Sequence, residues 1–144
     1  MDIDNAPFFR ALAAEMNASP DRFRVLGDAD MVAAIVMRDE VSSFAVRVTF
    51  EGLDCVDVEQ IRPAVAEEAD FYLDGPLASW QEMFDDICAH GAAQGRQTIN
   101  SLALLGTTIR LRGDDPMGVD KFSRFNQTLQ EYLDGAARLA VTTG

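Results

Sequence analysis

The chain is short of the residues that most often carry chemistry, with one histidine, two cysteines and one tryptophan in 144 residues. Cys55 and Cys88 are too few for a disulfide framework, so the fold must rest on burial and the expected location is cytoplasmic. One histidine and two thiols also fall short of a four-ligand zinc site, and no metal is expected. Long apolar runs are missing. The longest, Met31 to Met37, is far below the ~20 residues that a membrane helix needs, so a membrane-integral chain is not expected. The acidic start, Met1 to Phe9, lacks the basic opening of a secretory signal. Basic charge is scarce too: 12 Lys and Arg against 24 Asp and Glu leave a net charge of -12. Such a field repels phosphate backbones and anionic headgroups, and no nucleic-acid partner is expected.

What is there is core. Apolar residues make up 48% of the chain and include nine phenylalanines, enough for one domain spanning residues 1–144. Residues 1–20 read as a helix with a single apolar stripe of Phe8, Phe9, Leu12, Ala13 and Met16, started by Asn5 and Pro7 and broken after Asn17. Residues 44–51 alternate cleanly, with Phe44, Val46, Val48 and Phe50 on one face and Ala45, Arg47, Thr49 and Glu51 on the other. Residues 31–37 have no polar face. They predict a strand covered on both sides, paired with 44–51 as a hairpin. Residues 55–61 and 69–74 supply a third and a fourth strand. Asp74-Gly75-Pro76 then turns into a helix, with Pro76 at its first position. Gly91 and Gly95 interrupt that helix before a shorter one that ends at Gly106. Residues 107–113 return to period two, with Ile109 and Leu111 inward and Arg110 and Arg112 outward. Asp115 caps the last helix, which runs to Gly135 along Val119, Phe122, Phe125, Leu129 and Leu133, with Gln130 and Asp134 outside that stripe. The order helix, strands, paired helices, strand, helix is α+β.

The candidate reactive groups fare poorly. Cys88 and His90 lack a second ligand pair, and His90 as a general base would need a nucleophile and an orienting carboxylate, for which Asp85 or Asp86 would serve. A histidine favoured by the dipole at a helix end is the simpler reading. The acidic stretch 112–120 lacks calcium-loop spacing and is explained by a strand end followed by a helix cap. Neighbouring carboxylates such as Asp85 and Asp86 diverge in direction and form no shared dyad. The nucleophile elbow, the P-loop and the dinucleotide fingerprint are all absent, so no cofactor is expected.

Apolar surface remains. Trp80, Met83, Phe84 and Ile87 lie on one helix, Ile99, Leu102, Leu104 and Leu105 on the next, and Phe122, Phe125 and Leu129 on the last. Plain core or a homodimer interface explains such a set. A space between layers would instead make it a small-molecule site, with the glycines as a hinge and Arg96 as a polar headgroup contact. A small isomerase or hydratase using His90 on a hydrophobic substrate is the competing reading.

The segments 69–84 and 104–129 resemble the sterol carrier protein type 2 domain. The shared pattern is a strand entering a helix, then a glycine, a short alternating strand, Gly113-Asp114, and a helix bearing Lys121-Phe122. Residues 69–135 match best. Thr107 stands where the family has lysine, and 85–105 is longer than its connection. The resemblance implies a single, mostly antiparallel five-stranded sheet flanked by helices. It also implies an apolar tunnel for a fatty acyl or sterol-like lipid, and no catalytic residues.

Overall fold

The structure is a computed structural model that describes residues 1–105 and 108–143, with side chains described through residue 140. Helix α1 (Ala6–Asn17) starts where Asn5 accepts the Phe8 N–H at 2.8 Å, and it buries Phe8, Phe9, Leu12 and Met16. The break after Asn17 leads into a second short helix, α2 (Pro20–Arg24), which the sequence pattern does not predict. It is one turn long, opens on a proline and buries only Phe23, too little for a periodic signal.

Strands β1 (Met31–Arg38), β2 (Phe44–Glu51) and β3 (Asp54–Ile61) run antiparallel in succession, with Met37 opposite Phe44 and Thr49 opposite Asp57. After a 3-10 turn over Pro63–Glu68, β4 (Phe71–Pro76) returns beside β1 in parallel, and β5 (Arg110–Arg112) pairs antiparallel with β4. The order is β3-β2-β1-β4-β5, so the α+β chain has the expected mostly antiparallel sheet of five strands.

Helices α3 (Leu77–His90), α4 (Ile99–Leu105) and α5 (Pro116–Asp134) join α1 in one core cluster with the inward faces of β1, β2 and β4. The opposite sheet face holds Ala34, Val36 and Ala45 under Ala66 and Ala69 of the 3-10 turn. Those small side chains let the turn lie close, and so the residues from Ala33 to Met37 are buried on both faces, as their lack of a polar partner predicted.

Three expectations need correction. Pro76 is the last residue of β4, with ψ 143°, and α3 begins at Leu77. The expected strand over 107–113 shortens to three residues, while Gly106 and Thr107 lie outside the described residues. The last helix ends at Asp134 and a further helix, α6 (Ala136–Thr143), follows Gly135. Asp134 is accordingly buried, where helical spacing put it on the wet side.

Close approaches fix the join between sheet and helices. A Cβ on Gly118 would fall on the Asp70 carbonyl, and one on Gly113 would sit 2.6 Å from Val119 Cγ2. Asp70 in turn accepts the Val32 N–H at 2.7 Å and meets Lys121 Nζ at 3.1 Å, which ties α5 to the start of β4 and to β1.

Candidate functional site

The apolar candidates come together. Trp80, Met83, Phe84 and Ile87 on α3, Ile99 on α4, and Phe122 and Leu129 on α5 are all buried in the main cluster. Each helix places its set by 3.6-residue spacing, and each is pinned differently. Trp80 Nε1 donates to the Val36 carbonyl at 3.1 Å, which satisfies the one polar atom of its ring. Phe84 meets Phe8 edge to face at 5.1 Å between centroids, and Phe122 meets Phe71 likewise at 5.4 Å. Leu102 and Phe125 are partly buried against the same cluster, whereas Leu104 and Leu105 are exposed, Leu105 at 58%.

The segment between α3 and α4 is held by side chains of α3 and α5. Gly91 takes the left-handed conformation at φ 86° and closes α3, and Gly95 is left-handed as well. Asp86 Oδ2 accepts the Gln94 N–H at 2.8 Å, and Asp134 Oδ1 accepts the Ala93 N–H at 3.2 Å. Gln130 bridges the two elements: its Oε1 accepts the Ile99 N–H at 2.6 Å while its Nε2 donates to Asp134 at 2.8 Å. Sequence spacing put Gln130 and Asp134 outside the apolar stripe, and nothing in the pattern shows that they serve a loop more than 30 residues upstream. Burial pushes the Asp134 carboxyl above its ordinary range, against the pull of these two hydrogen bonds.

An open cleft of about 450 Å3 lies against this clasp, lined by Leu26, by Thr98, Ile99 and Asn100, and by Asn126, Gln127, Gln130 and Glu131 of α5. Of the apolar candidates it reaches Ile99 directly. Its rim is rich in amides, and Glu131 is its one carboxylate. Arg96 is exposed on the one-turn 3-10 helix Gly95–Gln97, two residues from that lining, and does not itself border the cleft.

His90 is the last residue of α3, with its side chain half exposed. Its Nδ1 lies 3.0 Å from Asp86 Oδ1 and 3.2 Å from the Asp86 carbonyl, so a carboxylate does orient the ring. His90 is not among the residues lining the clefts around Leu77, Ile99, Cys55 and Asp74. The thiols are unactivated. Burial pushes Cys55 up to about 12, and Cys88, which is exposed, is also raised, first by desolvation and then by Asp85.

Among the described residues, no helix is long and apolar enough to cross a membrane. No family model matches the chain, and no curated sequence matches it either. Solved structures do. The crystal structure of sterol carrier protein 2 superposes with a TM-score of 0.71 at 18% identity, over 94% of this chain and 98% of that one. The solution structure of a conserved hypothetical protein from Thermus thermophilus, described as possibly a sterol carrier protein, follows at 0.68 and 18%, over 96% and 90%. From α1 through the five-stranded sheet to the C-terminal helices, the chain has the fold of sterol carrier protein 2.

Proposed function

We propose that the protein binds and carries a hydrophobic small molecule, of fatty acyl or sterol-like character, between the sheet and helices α3, α4 and α5. The observation that carries this reading is the join of a continuous apolar cluster to an open cleft at Ile99, beside the short helix α4. Displacing α4 would expose Ile99, Leu102 and the inner side of Phe125 to an acyl chain. Each buried methylene then adds about 0.8 kcal/mol without help from any charged anchor. Arg96 stands close enough to the same segment to meet a polar headgroup.

Gentle purification followed by native mass spectrometry is expected to show a retained lipid. Displacement of a fluorescent fatty acid is expected to give micromolar or tighter binding. Failure to bind any acyl or sterol ligand at micromolar concentration would overturn the proposal.

A further inference from the structure

The basic residues of this acidic chain are not spread evenly. Arg38 of β1 and Arg110 and Arg112 of β5 converge with Asp74 on one cleft of about 220 Å3, which is completed by Gly75, Pro76 and Thr108. Three guanidiniums against one carboxylate leave two positive charges there, on a chain whose net charge is -12.

The pairing around Asp74 sets which arginines are available. Arg38 Nε and Nη2 grip Asp74 Oδ1 and Oδ2 at 2.7 and 2.8 Å, so both carboxylate oxygens are engaged. That hydrogen bond, more than the Coulomb attraction, raises the Arg38 pKa. Arg110 stands opposite Asp74 in the β4–β5 ladder and Arg112 opposite Tyr72, yet neither has an ion-pair partner among the described residues. They are two residues apart on one strand, so both project to the same face, about 7 Å apart along it. Gly75 permits this placement. A Cβ there would lie 2.8 Å from both Ile109 Cγ1 and the Thr108 carbonyl, so only glycine lets the chain before β5 press against β4.

Charged residues on an edge strand deter pairing with other chains. That role explains an arginine on β5 but not the convergence with Arg38 on one cleft. The cleft is smaller than the roughly 300 Å3 at which small-molecule sites begin, so it suits a single group and not a whole ligand. It meets a larger open cleft of about 680 Å3 at Arg38 and Pro76, where Leu77 and Ala78 offer an apolar wall and Asp39 and Glu40 line the side away from β5.

We infer that Arg110 and Arg112, backed by the Arg38–Asp74 pair, form a site for a phosphate monoester dianion. Guanidinium forks match the oxygens of such a group, and its charge matches the local excess. A soluble phosphate ester and a phosphate-monoester lipid headgroup share this chemistry. The inference does not rest on the apolar-ligand proposal, because it uses a different face of the sheet.

Inorganic phosphate titrated at constant ionic strength, with chloride as the comparison, and followed by amide NMR shifts tests it. Saturable shifts confined to 74–76 and 108–112 are expected. Arg110→Gln and Arg112→Gln should each weaken binding about tenfold, while Arg24→Gln on α2 leaves it unchanged. Phosphatidylcholine vesicles with and without phosphatidic acid separate the two sources. Selective binding to the phosphatidic acid vesicles that is lost in the double variant would assign the site to a headgroup. Absence of saturable response to both phosphate and those vesicles overturns the inference, as does phosphate binding that the double variant retains.

Discussion

Asp134 is a buried carboxyl whose behaviour departs from its type. Its folded-state pKa lies above the ordinary aspartate value of 3.8, chiefly through desolvation, with Glu131 adding to the rise and Arg138 opposing it. A raised carboxyl binds its proton more tightly in the folded state. Its stabilising contribution is therefore full below the ordinary value and lost as pH climbs through the raised one. Asp134→Asn keeps an oxygen for the Ala93 and Gln130 donors and removes the charge. Denaturant midpoints should show the variant more stable than the parent at neutral pH, with the difference vanishing in acid. Gly118 makes a steric case instead. Gly118→Ala drives a methyl group into the Asp70 carbonyl, and the loss measured by thermal or urea unfolding should be about 1–3 kcal/mol.

Among the elements, those carried by local signals were legible in the sequence. The Asn5 and Asp115 caps, the alternation of β2 and the double burial of β1 all follow from side chains within a few residues of one another. The elements that escaped depend on distant partners. The 3-10 turn at 63–68 exists to cover Ala34, Val36 and Ala45, and α2 buries a single phenylalanine. The candidate site divides in the same way. Its apolar members announce themselves by period, whereas the clasp of Gln130 and Asp134 on residues 93–99 joins groups 31 and 41 positions apart. That clasp governs α4. Gln130→Ala removes the acceptor for the Ile99 amide and the donor to Asp134, at about one ordinary hydrogen bond each. Hydrogen exchange at Ala93 and Ile99 should quicken about tenfold with the sheet amides unaffected, because local opening at this segment does not require global unfolding.

At the scale of the whole molecule, the core raises the question of where a ligand would go. Side chains such as Trp80, Met83, Ile87 and Leu129 are fully buried and make the contacts of a closed interior. On the proposed reading, an apolar ligand selects a conformation in which α4 has moved, and its apparent affinity is multiplied by the fraction of molecules in that state. Linkage follows directly. A ligand at a hundred times its dissociation constant stabilises the folded chain by about 2.7 kcal/mol, which for a domain of this size raises the melting temperature by roughly 9 °C. Two substitutions separate packing from uptake. Leu129→Ala empties a buried position and should cost about 2–5 kcal/mol whether or not a ligand exists. Leu105→Ser, on the exposed end of α4, should change intrinsic stability by less than about 0.5 kcal/mol. If α4 is the way in, Leu105→Ser alters the rate at which a fluorescent fatty acid enters while the melting temperature of the empty protein stays put. A chain that only packs these side chains shows neither that rate change nor any ligand-dependent rise in melting temperature.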